Sequence, residues 1–386
     1  MSIHRRVFLP LYLPALLLGI PAQATFMLLP LYVLQLGGSA STAAAVVGLR
    51  GLGMMAMDLP AGMLAARYGE KAVMVVAVSF TMLAFAAYGM ADEIRWFYFI
   101  AFLHGCGSST FLLGRMSYVS AYCSPAERGR VIAMIAGSVR ASALLGPMAG
   151  GALAHYAGYA VTFLCASVSV LLAMLCVFVF ARAETPSARA LDWRTIPRLA
   201  HEYRRVFATA GVAAVSFMLM RESRTVLLPL LGASLALDAQ QIGTIVSASA
   251  LVDIAFFYPA GVIMDRYGRR ATAVPSSILF VVTLAAMTLA EGYHSLLAVA
   301  LAVGVANGLS TGIVMTLGTD LAPPGRRSEF LGLWRLLTDA GTSAGPMAIS
   351  ALLAVVPLGI AALGVAGLGA LGSFVVYRYV EETLVV

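Results

Sequence analysis

Apolar runs, each about as long as a membrane-spanning helix, recur along the whole chain of 386 residues. A helix rises about 1.5 Å per residue, so about 20 residues are needed to cross a hydrocarbon core. Divided by this length, the apolar stretches predict twelve spans, at 8–35, 43–65, 72–91, 95–122, 130–154, 159–181, 208–234, 242–264, 271–290, 295–321, 329–353 and 357–378. The pattern indicates an all-α membrane protein with twelve transmembrane helices.

The composition agrees with this fold class. Hydrophobic residues make up 61% of the chain and charged residues only 11%, whereas soluble proteins carry roughly 25% charged residues. Such a chain cannot cover a water-exposed surface with charge, which excludes a soluble globular protein. The lipid bilayer is therefore its expected solvent.

Basic residues are distributed unevenly between the two sets of loops. The chain ends and the loops after even-numbered spans hold eighteen of them, whereas the opposite loops hold only Arg95. Cytoplasmic loops of membrane proteins carry the excess of arginine and lysine. The bias predicts that both termini are cytoplasmic, and it explains the net charge of +7 without a nucleic-acid partner.

The second half of the chain repeats the first with a constant offset of 199 residues. "PAGMLAARYG" at 60–69 returns as "PAGVIMDRYG" at 259–268, and "GPMA" at 146–149 returns at 345–348. This repeat predicts two pseudo-symmetric six-helix bundles, 1–182 and 208–386. The first span also has a counterpart, so we expect it to be retained rather than removed as a signal peptide.

Between the bundles lies a polar, arginine-rich segment at 183–207, which we interpret as a cytoplasmic linker with a short interfacial helix near 195–205. Its arginines could contact anionic lipid head groups or could simply be solvated. Parallel repeats of this size are typical of secondary transporters, in which the substrate site lies near the bilayer midplane.

Several other function classes lack their sequence signals. The four cysteines show no CxxC spacing, so no metal site or disulfide framework is predicted, and we expect no cofactor. No phosphate-binding GxxxxGK[ST] motif indicates direct use of ATP. No catalytic motif supports an enzyme.

The loops after spans 2 and 8 carry the most specific motif. "GVIMDRYGRR" at 261–270 resembles the signature loop of the major facilitator superfamily, and "GMLAARYGEK" at 62–71 is a second copy with Ala66 in place of the acid. The glycines suit a tight turn and the basic residues anchor the loop. The resemblance implies gating roles for Gly62, Arg67, Gly69, Gly261, Asp265, Arg266, Gly268, Arg269 and Arg270.

A second motif lies in span 5. "SALLGPMAGG" at 142–151 resembles the superfamily pattern GxxxGPxxGG, which is associated with antiporters, although Ser142 replaces its first glycine. The gating set therefore also includes Arg128, Arg140, Gly146, Pro147, Gly345 and Pro346. A third motif, RxxxGxG in span 4, departs from the superfamily, because Ala101 stands at the arginine position before Gly105 and Gly107.

In the superfamily, the acid of the signature loop braces the cytoplasmic gate. We expect Asp265 to do this by facing the start of span 5 near Arg128 and Arg130. Ala66 cannot take this role. We therefore expect an asymmetric lock, in which the loop after span 8 holds the cytoplasmic side closed and the loop after span 2 contributes mainly turn geometry.

Charges inside the spans are costly and are expected to have functional partners. The repeat makes Arg140 in span 5 and Asp339 in span 11 equivalent positions of opposite sign. In the superfamily, helices 1, 4, 7 and 10 line the cavity. By that resemblance the cavity candidates are Gln23, Thr25, His104, Arg115, Tyr118, Arg221, Glu222, Arg224, Asn307 and Thr311.

Arg221 and Arg224 are three residues apart and share a helix face, which suits an anionic or zwitterionic substrate. The alternative is that these charges form buried ion pairs without a ligand. Asp58, Asp253 and Asp339 are the candidates for proton coupling. Asp58 and Asp253 are favoured because neither has an arginine three or four residues away in its own helix.

These features predict a monomeric, proton-coupled transporter of the bacterial inner membrane that works by alternating access and exports small amphipathic compounds. The alternative is an importer, or an exporter of a small organic anion such as a siderophore or a sugar acid. A remote alternative is a membrane sensor derived from a transporter.

Overall fold

The structure is a computed structural model that describes residues 8–181, 196–323, 325–380 and 382. These residues contain no β-strand. They form twelve long helices, which are α1 (Phe8–Gln35), α2 (Ala40–Tyr68), α3 (Glu70–Met90), α4 (Ile94–Tyr122), α5 (Pro125–Ala157), α6 (Tyr159–Phe180), α7 (Arg204–Ser234), α8 (Ala239–Tyr267), α9 (Arg270–Leu289), α10 (Tyr293–Asp320), α11 (Arg327–Leu353) and α12 (Leu358–Tyr379).

Eleven of these helices are long and apolar enough to cross a membrane, as judged over the described part of the chain. The remaining helix, α11, has 27 residues but includes Arg327, Glu329, Arg335 and Asp339. The multi-pass membrane fold is confirmed. The span predicted at 329–353 forms the expected helix, and its place as a twelfth crossing stays a prediction.

The predicted tight turns of the signature loops are confirmed. Gly69 ends α2 with φ +85°, and Gly268 ends α8 with φ +93°. Both values lie in the left-handed region, which glycine adopts without steric cost. Each turn lets the next helix start within one or two residues.

The 199-residue offset relates helix boundaries as well as motifs. It links the ends of α2 to those of α8 and the ends of α6 to those of α12. Close packing repeats too. Gly105 lies against the carbonyl of Arg50, and its counterpart Gly304 lies against the carbonyl of Ser249. We call α1–α6 the N-terminal half and α7–α12 the C-terminal half.

The predicted linker is only partly described, because residues 183–195 lie outside the described ranges. The rest of it contains a helix, Ile196–Glu202, as predicted, and the beginning of α7. Arg326, just before α11, forms an ion pair with Glu202 at 3.1 Å. This contact fixes the short helix against the C-terminal half.

The two halves meet at one end of the molecule. This arginine-poor end carries the α1–α2 and α5–α6 loops. Ser41 and Ser350 donate hydrogen bonds to each other's backbone carbonyl at 2.8 and 2.9 Å, joining α2 to α11. Gly151 of α5 packs on Gly243 of α8, where the added Cβ of either glycine would lie 3.3 Å from the other's Cα.

The halves are apart at the opposite, arginine-rich end, which carries the α2–α3 and α8–α9 loops. Gly62 lies one helical turn after Asp58, and Gly261 lies two turns after Asp253. Both glycines are on the helix faces that point to the other half. A Cβ placed on either glycine would meet no atom within 4 Å, and the same holds for Gly137 of α5. The space between the halves therefore opens towards the arginine-rich end.

Candidate functional site

Asp253, on α8, is the centre of a polar cluster inside the helical bundle. Asn307 of α10 donates its side-chain N–H to Asp253 Oδ2 at 2.7 Å, and the Thr311 hydroxyl donates to Oδ1 at 3.3 Å. Both donors come from the same half as Asp253. They hold the carboxylate in one orientation.

Arg140 approaches this carboxylate from the other half. Its Nη1 lies 4.0 Å from Asp253 Oδ1, and its guanidinium stacks 3.6 Å above the ring centroid of Phe257. A guanidinium over an aromatic face is attracted by the ring, more strongly where water is excluded. Arg140 of α5 thus contacts two residues of α8 across the joint between the halves.

Asp58, on α2, is the centre of a second cluster. Ser109 of α4 donates to Asp58 Oδ1 at 2.6 Å, and Arg335 Nε of α11 lies 3.3 Å from the same oxygen. Asp339 Oδ2 lies 3.6 Å from the same nitrogen. Two carboxylates from different halves therefore share one guanidinium in a largely buried position.

The two clusters occupy equivalent places in the repeat. Helices α2, α4 and α11 build one cluster, and their counterparts α8, α10 and α5 build the other. In each cluster, a carboxylate of one half is held by a polar residue of its own half and faces an arginine of the other half. The residues of each half are thus complementary to those of its partner.

A third group of charges lies on α7. Arg221, Glu222 and Arg224 form no ion pair within 4 Å in the described part of the chain. Arg224 is within electrostatic range of Asp253, and Glu222 is within range of Arg50 on α2. Arg50 itself is buried and lies 4.0 Å from the ring centroid of Phe26.

The predicted cavity residues differ in their contacts and in their burial. Asn307 and Thr311 bind Asp253, as described above. Thr25 donates to the carbonyl of Pro21 in its own helix, and Tyr118 stacks on Tyr122 at 4.2 Å. Gln23 is half-buried. Arg115 is buried beside Phe111, 5.5 Å from its ring centroid.

His104, a predicted cavity residue, is not on an open surface in this structure. It is fully buried, with ring centroids 4.9 Å from Phe85 and 6.1 Å from Tyr88 on α3. These contacts place His104 in the aromatic packing of the N-terminal half. The large rings of Phe85 and Tyr88 fill the space beside the His104 ring.

The signature loop of the C-terminal half is held at several points. Arg269 forms ion pairs with Asp320 at 3.0 Å and with Asp265 at 3.5 Å. The carboxylate of Glu382 accepts hydrogen bonds from the backbone N–H groups of Arg269 and Arg270, at 2.8 and 3.1 Å. The chain after α12 thus caps the start of α9, where backbone N–H groups favour a negative charge.

The expected contact between Asp265 and the start of α5 is absent from this structure. The Asp265 side chain is 83% exposed, and Arg269 is its ion-pair partner. Arg128 instead donates to the carbonyls of Ser120 and Cys123, at 2.6 and 3.0 Å. The contact is not formed in this structure, in which the halves are separated at the arginine-rich end, and the gating role of Asp265 stays a prediction.

The first copy of the loop is held differently. Ser117 of α4 donates to Glu70 at 3.2 Å, and the Lys71 ammonium lies 5.5 Å from the ring centroid of Phe178 on α6. Arg67 lies over the ring of Tyr68, its neighbour in sequence. These contacts stay within the N-terminal half.

The helix 5 motif provides close approach on two sides of α5. An added Cβ at Gly146 would lie 2.6 Å from the carbonyl oxygen of Ile20 in α1, and one at Gly243 would overlap the carbonyl of Pro147. In the C-terminal half, a Cβ at Gly345 would lie 2.5 Å from the carbonyl oxygen of Leu219 in α7. Pro147 and Pro346 both lie inside their helices.

Sequence reasoning missed the position of Arg335. Nothing in the pattern of its own helix indicates that it reaches Asp58 on another helix of the other half. Over the described residues, no three His, Cys, Asp or Glu side chains lie close enough to hold a metal ion.

The sequence model of the Major Facilitator Superfamily matches residues 11–221 and 210–385. The chain belongs to this superfamily. This Major Facilitator Superfamily protein is a multi-pass membrane transporter, in agreement with the resemblance of its loop motifs.

Curated relatives of this superfamily member include multidrug resistance proteins. It is 22% identical to "Multidrug resistance protein MdtH" of Enterobacter sp. (strain 638), over 81% of this chain and 78% of the relative. It is 23% identical to the protein of the same name from Yersinia pestis (strain Pestoides F), with the same coverage.

Solved structures of two other transporters share the fold. A POT family transporter in complex with a thioalcohol-conjugated peptide superimposes with a TM-score of 0.81 at 12% identity, over 95% of this chain and 94% of that one. A mutant of the nucleoside transporter NupG gives a TM-score of 0.77 at 12% identity, over 97% and 99%. At this identity the likeness concerns the fold alone.

Proposed function

We propose that this protein is a proton-coupled secondary active transporter that works by alternating access and exports small amphipathic organic compounds. The names of its curated relatives support the class of substrate. One structural observation supports the mechanism: the buried Asp58 and the partly buried Asp253 each face an arginine that belongs to the other half.

The moving parts in this proposal are two six-helix bundles, 1–182 and 208–386, joined by the linker at 183–207. Helix α11 is the twelfth span, with its charges facing the other half rather than lipid. The arginine-rich end and both termini face the cytoplasm, as the loop charges favour. In this arrangement the structure represents the state that is open to the cytoplasm, in a monomer of a bacterial inner membrane.

Proton coupling would follow from the cross-half position of the two ion pairs. Burial favours the protonated form of a carboxylate, whereas a nearby guanidinium favours the ionised form. When the halves rock about the joint, the distance from Arg140 to Asp253 and from Arg335 to Asp58 must change. A carboxylate that loses its arginine binds a proton, and it releases that proton when the arginine returns.

Asp339 has a supporting role in this scheme. It lies beside Arg335 in the same helix, so it can hold this guanidinium when Asp58 is protonated. Arg335 is then never left without an anionic partner in a low-dielectric environment, which would be costly. The Asp58 site can therefore exchange protons without a large change in stability.

The signature loop would act in the opposite state. When the arginine-rich end closes, Asp265 comes within reach of the start of α5, where Arg128 and Arg130 lie. The present exposure of Asp265 and its attachment through Arg269 leave it available for that contact. Gly151 and Gly243 would part at the same time, opening the arginine-poor end.

The proposal is tested in proteoliposomes that contain the purified full chain. An imposed pH gradient should drive movement of amphipathic fluorescent compounds, and the compounds should in turn drive proton movement. Asp58→Asn and Asp253→Asn should each uncouple the two flows, while Asp92→Asn, in an exposed loop, serves as the matched control. Full coupled transport in both site variants would contradict the assignment of these carboxylates.

A further inference from the structure

The interior of the bundle holds more positive than negative side chains. Six arginines lie well inside the long helices, against four acids. The arginines are Arg50, Arg115, Arg140, Arg221, Arg224 and Arg335, and the acids are Asp58, Glu222, Asp253 and Asp339. Unpaired charge in the membrane interior is expensive. The excess of two positive charges therefore needs a physical explanation.

Only two of the six arginines have a carboxylate within 4 Å, as far as the structure describes the chain. These are Arg140, which faces Asp253, and Arg335, which faces Asp58 and Asp339. The Nε atom of Arg224 is fully buried and has no hydrogen-bond acceptor among the described residues. Buried guanidinium N–H groups without acceptors cost stability.

Three of the guanidiniums form one group. Arg221 and Arg224 lie on the same face of α7, opposite Ser223, which is buried where α7 packs on Gly345 of α11. Arg221 is within electrostatic range of both Arg140 and Arg224. We call Arg140, Arg221 and Arg224 the arginine cluster.

Asp253 is the carboxylate nearest to this cluster, and its oxygens are already engaged. Oδ2 accepts from Asn307 at 2.7 Å and Oδ1 accepts from Thr311 at 3.3 Å. The contact with Arg140 is long, at 4.0 Å. Asp253 and Glu222, the second carboxylate in electrostatic range of Arg224, cannot balance three guanidiniums, whose mutual repulsion remains.

We propose that the arginine cluster binds the oxyanion of the substrate, so that the transported compound is an amphipathic organic anion. A carboxylate or sulfonate would accept paired N–H groups from the guanidinium forks and supply the missing negative charge. The ring of Phe257, stacked on Arg140, offers an adjacent apolar surface. This inference rests on the proposed transport function, because it names the substrate of that same site.

Protons and the anion would use separate groups at this site. Asp253 keeps its Asn307 and Thr311 donors when the anion is bound, because the anion pairs with the guanidinium charge that Asp253 does not neutralise. The binding of anionic probes therefore reports on the arginine cluster without requiring proton coupling.

The test compares three probes of nearly equal size that differ in charge, which are naphthoate, naphthamide and naphthyltrimethylammonium. Their dissociation constants are measured by calorimetry on the purified full chain in detergent. Naphthoate should bind at least about tenfold more tightly than the other two, as expected when charge-assisted hydrogen bonds are gained. Arg224→Gln should remove this preference, and Arg224→Lys should retain part of it.

Two further variants keep the outcome interpretable. Arg221→Gln should also lower naphthoate affinity about tenfold or more, so the result does not depend on the folding of one variant. Arg95→Gln, which removes an arginine that pairs with Glu93 on the surface, should leave all three affinities unchanged.

Equal affinities of the wild-type protein for the three probes, absence of naphthoate binding, or an undiminished preference in both glutamine variants would overturn the proposal. The last result would mean that the arginines serve only as buried structural charges. Naphthoate preference without proton-linked flux would contradict the proposed transport mechanism and leave the anion site standing. Proton-linked export of cationic compounds alone would contradict the anion site and leave the proposed transport mechanism standing.

Discussion

Arg335 Nε lies 3.3 Å from Asp58 Oδ1 and 3.6 Å from Asp339 Oδ2, so one guanidinium nitrogen faces carboxylates of both halves. The pair with Asp58 crosses from α11 to α2, whereas the pair with Asp339 stays within α11. The guanidinium can therefore keep one carboxylate when it leaves the other. This arrangement makes the Asp58 contact sensitive to the relative position of the halves.

Removing Arg335 should destabilise the protein more than removing its partner. In Arg335→Gln, Asp58 remains buried without a guanidinium, and breaking such a pair costs about 3 kcal/mol or more. Thermal unfolding in detergent should show a clearly lower Tm than for the wild type. Adding Asp58→Asn to this variant should recover part of the loss, since only Asp339 then remains without its guanidinium. A double variant no more stable than the single one would argue against the pairing.

A disulfide at the arginine-poor end should stop transport. The Ser41 and Ser350 side-chain oxygens lie 3.3 Å apart, so cysteines at both positions are close enough to form a bond without large backbone movement. The variant is made with Cys106, Cys123, Cys165 and Cys176 replaced by serine, because these thiols are free.

Oxidation of the double-cysteine protein should abolish transport in proteoliposomes, and reduction should restore it. Each single-cysteine variant is the control and should be insensitive to the oxidant. Transport that continues at full rate in the cross-linked protein would contradict opening at this end.

Two glycines of α8 should differ in their tolerance of a methyl group. Gly243→Ala places its Cβ against the Pro147 carbonyl and should force α5 and α8 apart, whereas Gly261→Ala points into open space. Labelling of Ser350→Cys by a membrane-impermeant maleimide should become faster in the Gly243→Ala background and stay unchanged with Gly261→Ala. Equal labelling rates in both backgrounds would show that Gly243 does not control this contact.

Substitution of Asp265 should affect transport without affecting stability. Its carboxylate is largely exposed, so Asp265→Asn should leave the free energy of unfolding of the purified protein within about 0.5 kcal/mol of the wild-type value. Transport should nevertheless fall strongly, because the predicted lock forms only when the arginine-rich end closes. An active Asp265→Asn variant would place the lock elsewhere. The Ala66→Asp variant tests whether the loop after α2 can supply a second lock.

The helices could be predicted from the sequence because their length and apolar character depend on local composition. The predicted run at 8–35 agrees with α1, and the other eleven spans differ from the observed helices by a few residues at their ends. The repeat was visible because both halves kept the same spacing between their turns. Packing of Gly105 and Gly304 then reproduces that spacing in three dimensions.

The ion pairs could not be predicted in the same way. Asp58 and Asp253 were singled out because no arginine lies near them in their own helices, yet each meets one from the other half. Such contacts depend on which helices of the two halves face each other. The Asp265 contact depends also on which end of the molecule is closed, and sequence spacing carries no information about that.

The shared 199-residue frame has a consequence for how the two halves can have diverged. Met54 stands where the C-terminal half has Asp253, and Phe257 stands where the N-terminal half has Asp58. A protein assembled from two N-terminal halves would set Arg140 against a methionine, and one from two C-terminal halves would set Arg335 against a phenylalanine. The two halves are therefore not interchangeable, because each supplies the charge that its partner's buried charge requires.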